Sequence, residues 1–312
     1  MNSPNLHFKA ICFAIAGFTF WVLTDSAMKI AGRSQLPNYE IVAFLGIFMA
    51  MFISLYATFR GELKELWPNE PGRLLARGFL DLGNNLCVVI ALRHLSLTLF
   101  YILVFTSPLL VAILGRTFLN EHLDWRKTAA ILTGFLGVVV AVYPSRSNRG
   151  SEMIGFAACV FCVTCFSVAV VWSRVISQTE RPESMTWFSA LVSASVGLLA
   201  MLVHAEPIAI PELVALLAMG LLCALGSICI AVALKYTTAA TVSQYHYTQL
   251  VVGSAVAYFL FNEKPTISIL AGAMLIIAAG LYVALREPAT VNTEVGLGIA
   301  PTPEVTRVLP HE

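Results

Sequence analysis

The chain has 312 residues, 58% of them apolar and only 12% charged, with a mean hydropathy of +0.80 and a formal net charge of +1. A soluble domain carries roughly 25% charged residues, so this chain has too few to coat a water-facing surface. No Lys/Arg run or basic face is present to neutralise phosphates, which excludes nucleic acid as a partner.

A membrane-crossing helix needs about 20 predominantly apolar residues. On that measure the sequence predicts about ten spans, over 8–31, 40–59, 74–93, 97–119, 127–144, 153–174, 184–204, 212–234, 238–261 and 266–285. The first run is too long for a signal peptide and lacks a clear small-residue cleavage site, so it is read as a retained helix. Charged groups at membrane depth cost a few kcal/mol each and need a partner or a function. Trp21, Asp25 and Lys29 fall at i, i+4 and i+8 on this first helix and share one face. Two readings stay open for them: a local Asp25–Lys29 pair with the lysine reaching the surface, or a role in gating substrate.

The third helix carries a polar stripe of Arg77, Asp81, Asn84 and Asn85. A lipid-facing stripe would leave its hydrogen-bonding groups unmet. It is therefore either interhelical glue or a cavity wall, with Asp81 taking a cationic group and the two amides orienting a substrate. In the fourth span Tyr101 and Phe105 lie one turn apart, ahead of a break at Thr106-Ser107-Pro108. Proline frees a backbone carbonyl there, open to substrate or to the neighbouring hydroxyls.

The cysteines number seven and all lie in apolar runs, which does not read as a disulfide framework. Cys159, Cys162 and Cys165 have a superficial iron–sulfur spacing but lack a fourth thiolate, so packing in the sixth helix is the favoured reading. In the ninth span Ser243 to Gln249 is a polar or amphipathic run that lipid would not tolerate on every side. Gln244, Tyr245, His246 and Gln249 are its candidate site residues, and His246 is a candidate proton carrier. No Walker loop, dinucleotide fingerprint or His-Glu-x-x-His is present, so no cofactor is expected. The residues after Arg286 have no apolar periodicity and are expected to be a disordered tail.

The polar landmarks repeat. Ala91-Leu92-Arg93-His94 and Asn120-Glu121 recur at the same offset as Ala233-Leu234-Lys235-Tyr236 and Asn262-Glu263. Two copies of a five-span unit, an odd number, must insert in opposite senses, which is a recurrent design of secondary transporters. The paired Glu121 and Glu263 are expected to do a structural job, capping the helix that follows. Most of the 19 Lys and Arg residues fall on the N-terminal side of the predicted topology, which places both termini in the cytoplasm.

The stretch Ala91–Ser96, then Thr106-Ser107-Pro108-Leu109, Leu119-Asn120-Glu121 and Gly134-Phe135-Leu136-Gly137-Val138, resembles the EamA-type domain of the drug/metabolite transporter superfamily. A second copy, from Ala233 through Asn262-Glu263-Lys264-Pro265 to Gly280, is similar to the same domain. The likeness spans about residues 8–285, as repeats at 8–144 and 153–285. Asn120 and Asn262 depart from it, since glycine is usual before that glutamate. The resemblance implies an all-α integral membrane fold with ten helices in two inverted repeats around a central cavity. It also implies a carrier of amino acids, nucleotide-linked metabolites or vitamins. The expected partners are therefore a small-molecule substrate and the lipid bilayer of the inner membrane, with proton coupling open. The alternatives are a polytopic sensor or scaffold subunit and a membrane-embedded enzyme.

Overall fold

The computed structural model describes residues 3–119, 125–142, 149–176, 179–236, 245–264 and 266–286. These are helical, with no strand among the described residues: α1 (Ser3–Gly32), α2 (Asn38–Arg60), α3 (Pro71–His94), α4 (Leu97–Val104), α5 (Ser107–Leu119), α6 (Trp125–Val142), α7 (Arg149–Ile176), α8 (Pro182–Met201), α9 (Ile210–Tyr236), α10 (Thr248–Phe261) and α11 (Ile267–Arg286). Single 3₁₀ turns at Leu63–Leu66 and Tyr245–Tyr247 precede α3 and α10. Among the described residues, seven helical stretches are long and apolar enough to cross a membrane. α10 and the first part of α11 are apolar but shorter. Large apolar side chains such as Leu136, Val139, Val251 and Phe259 point outward, as a hydrocarbon solvent allows. The predicted tail lies outside the described residues.

The fourth span is two helices, as the proline predicted. α4 stops at Val104, and the chain turns through Phe105 and Thr106 before α5 begins with Pro108 in its first turn, where no N–H is missed. Two hydroxyls bond the backbone at the break: Thr106 Oγ1 donates to the Leu103 carbonyl at 2.6 Å and Ser167 Oγ to the Ser107 carbonyl at 3.3 Å. Every residue from Leu97 to Leu103 is buried, so α4 is the central element of the bundle.

Neighbouring elements pair across the chain. α1 packs on α9 and α3 on α7; α2 meets α9, and α3 meets α8; α2 lies along α8, and α6 along α11. The α2–α8 contact is close at two reciprocal points. A Cβ on Gly46 would stand 2.5 Å from the Ala190 carbonyl oxygen, and one on Gly197 would stand 2.4 Å from Cβ of Ala43. Small residues at such crossings let backbones approach where lipid gives no hydrophobic drive. Carboxylates also stitch loops across the chain. Glu40 on α2 accepts from the Glu206 N–H at 2.8 Å, and Glu180, just before α8, accepts from the Glu70 N–H at 2.6 Å.

Candidate substrate site

On the first helix the local ion pair is not formed. Asp25 and Lys29 do not pair with each other. Tyr101 Oη on α4 donates to Asp25 Oδ2 at 2.8 Å, while Lys29 Nζ reaches Glu263 Oε1 at 2.7 Å and the Leu95 carbonyl at 2.8 Å. Burial accounts for the difference, because Lys29 is enclosed and takes the partners that remove its charge from the apolar surroundings.

Glu263 also accepts from the Leu97 N–H at 2.8 Å, so it caps a helix start as expected, but that of α4 in the other half rather than its own α11. Its placement follows from Asn262, the one non-glycine residue with positive φ among the described residues, at 54°. The Glu263 N–H then returns to the Ala257 carbonyl, closing α10 with a left-handed cap. Asparagine tolerates that conformation better than most residues, so the departure from the usual glycine keeps the geometry. Glu121 lies outside the described residues.

Around Asp25 an aromatic cluster closes in. Trp21, one turn earlier on α1, meets Phe18 edge-on at 5.7 Å. His246 stacks on Phe18 at 5.0 Å, with Phe105 at 5.2 Å and Phe166 of α7 at 6.3 Å. Its imidazole bonds the buried Gln249 side chain. Tyr245 packs beside Phe18 and Ala233. Tyr101 is held against Gly253 of α10, where a Cβ would come within 2.4 Å of the phenol ring. Asp25 and His246 are enclosed by neighbouring protein atoms yet retain some solvent-accessible surface, whereas the rings of Phe18, Tyr101 and Phe105 beside them are buried.

The α3 stripe divides. Asp81 forms an ion pair with Arg77 at 3.0 Å, and Arg77 also donates to Ser173, Ser189 and the Met185 carbonyl. This upper part is interhelical glue to α7 and α8. Asn84 turns to the site: its Oδ1 accepts from the Cys162 thiol at 3.2 Å, and its amide donates to Asn85 at 3.3 Å.

The structure thus brings together Trp21, Asp25, Tyr101, Phe105, His246 and Gln249, with Tyr245, Asn84 and Asn85 at the margin. Asp81 is paired with Arg77. Gln244 lies outside the described residues. Sequence reading missed Phe18, Phe166, Cys162 and Gly253. Phe18 was findable, since it lies three residues before Trp21 and seven before Asp25 on the same face. Phe166 carries no local signal among 19 phenylalanines. The three α7 cysteines are mostly buried in packing contacts, and no group of three or more His, Cys, Asp or Glu residues among the described residues would hold a metal.

The EamA-like transporter family matches residues 8–143 and 153–285. The chain belongs to that family, and is therefore a multi-pass membrane transporter rather than an enzyme. Across 92% of its length it is 26% identical to an S-adenosylmethionine uptake transporter of Rickettsia bellii, covering 98% of that protein. It is also 26% identical to a riboflavin transporter of Rhizobium johnstonii, over 89% of this chain and 91% of that one. A solved crystal structure superposes with a TM-score of 0.63 at 18% identity, covering 91% of this chain and 97% of its own, a likeness of fold.

Proposed function

We propose that the protein is a secondary transporter of ten spans in two inverted five-helix halves. It moves a small metabolite across the cytoplasmic membrane by alternating access, with both termini in the cytoplasm. The observation that carries this reading is the composition of the central cluster. Asp25, Tyr101 and Phe105 come from the first half, and Phe166, His246 and Gln249 from the second. A site divided in this way changes its exposure whenever one half rocks against the other.

Packing supports the inverted arrangement. Exchanging the halves turns the α1–α9 contact into α7–α3, α2–α9 into α8–α3, and α1–α10 into α7–α5. The same exchange maps α2–α8 and α6–α11 each onto itself. The Glu40 and Glu180 clamps follow the same rule, each from one half onto the loop before the third helix of the other.

The relatives are named for compounds that carry a flat heterocycle, and the cluster of aromatic rings beside Asp25 suits such a group. S-adenosylmethionine is accordingly the first candidate, ahead of riboflavin and the amino acids. The test is uptake of these labelled compounds into vesicles of both orientations, with and without a proton uncoupler, for wild type and His246→Ala. Saturable flux of one compound, reduced in the variant, is expected. A folded protein that moves none of them would contradict the reading. Loss of uphill uptake with the uncoupler would add proton coupling.

A further inference from the structure

We propose that Asp25 is the counter-ion for a fixed positive charge on the transported metabolite, an ammonium or sulfonium group, with Trp21 and the Tyr101 phenol forming the walls beside it. The inference rests on the carrier reading above and names the class of compound its site takes.

The argument begins from unpaired charge. Asp25 lies at membrane depth and accepts one hydrogen bond, from Tyr101 Oη at 2.8 Å. It has no cationic partner among the described residues. The nearest candidate cations are committed elsewhere. Lys29, one turn along the same helix, is held by Glu263 and the Leu95 carbonyl. Arg77 is divided among Asp81, Ser173, Ser189 and Met185. His246 is packed among three phenylalanine rings and bonded to Gln249. A carboxylate left alone in low dielectric is costly, and a cation or a proton must relieve it.

The surroundings favour a cation of low hydration over a metal ion. Oxygen ligands for a hard cation are few there, whereas aromatic faces are many. A soft onium group gains from both the carboxylate and the ring quadrupoles. A quaternary ammonium or a sulfonium meets that description.

The layout also orders the ligand. Tyr101 lies level with Asp25, and Phe105 follows one turn later on α4, as Trp21 and Phe18 precede Asp25 on α1. A charged layer therefore sits one to two helical turns, about 6–10 Å, from the ring layer of Phe18, Phe105, Phe166 and His246. A ligand with a cationic centre at that distance from a flat ring system spans both.

The test uses matched pairs that differ by one methyl group and one charge: S-adenosylmethionine with S-adenosylhomocysteine, and S-methylmethionine with methionine. Binding is read by tryptophan fluorescence on the purified full chain, for wild type, Asp25→Asn and Asp25→Glu, with thermal unfolding as the check of fold. Wild type is expected to prefer at least one sulfonium by about tenfold or more. Asp25→Asn should erase the preference and Asp25→Glu retain part of it.

Equal binding within both pairs by wild type overturns the proposal, as does a preference that survives in folded Asp25→Asn. So does folded wild type that binds neither sulfonium. If Asp25→Asn keeps the preference but loses uphill uptake, Asp25 carries a proton instead. The carrier reading fails separately, when no compound shows saturable flux although binding and its charge preference persist.

Discussion

Tyr101 can reach Asp25 only because Gly253 leaves room for its ring. The phenol is almost wholly buried, and any side chain on α10 at that point would meet it well inside contact distance. Gly253→Ala is therefore expected to cost about 1–3 kcal/mol of stability, as overpacking does, and to raise KM by tilting the phenol off the carboxylate. Thermal unfolding with uptake kinetics checks both; an unchanged KM would detach Tyr101 from the site. At this scale the sequence was legible where a residue type was out of place. Asp25, His246 and the Asn84–Asn85 pair stand out because polar groups are rare at membrane depth. Asp81 stood out equally and is paired with Arg77, and an ion pair one turn long looks the same in sequence as a group awaiting a ligand. The glycine that seats Tyr101 was invisible, because it answers to a ring far away in the chain.

At the scale of elements, one junction ties three helices. Lys29 from α1, the start of α4 and the end of α10 meet on Glu263, and Phe261 lies under both Lys29 and Arg33 at 5.3 and 4.9 Å. Arg93 closes the same end by donating to the Leu36 carbonyl. Removing one partner leaves a buried charge unmet, so Lys29→Met or Glu263→Gln is expected to cost about 3–5 kcal/mol. The double variant should cost less than the two singles combined, because both charges leave together. A double-mutant cycle by thermal unfolding measures this, and simple additivity would refute the coupling.

The described helices lie within a few residues of the predicted spans, since the apolar runs and their Pro-bearing connections are local signals; the exception is the ninth, expected over 238–261, whose described helix begins only at Thr248. The split of the fourth span followed from Pro108. The junction on Glu263 was not readable, because its partners are widely separated and each has a plausible local role: Lys29 with Asp25, and Glu263 with the helix after it.

For the whole molecule, the inverted arrangement makes a claim about sides. The α2–α3 and α8–α9 loops occupy equivalent places in the two halves, and the proposed inversion puts them in opposite compartments. In a background without the native cysteines, Lys64→Cys should label with a membrane-impermeant maleimide in inside-out vesicles, and Ala205→Cys in right-side-out ones. Labelling of both from one side would refute the inversion. The duplication was legible because polar landmarks recur at a fixed offset, whereas apolar residues alone would recur in any bundle. The family match to both halves agrees with it.

The most direct measurement is counterflow. Proteoliposomes loaded with unlabelled S-adenosylmethionine are diluted into a trace of the labelled compound, with the riboflavin pair run alongside. A carrier that exposes one site to each side in turn must accumulate label transiently above equilibrium, and it should do so for at least one compound. Label that only equilibrates, at a rate linear in concentration, would describe a channel or a leak and contradict the account.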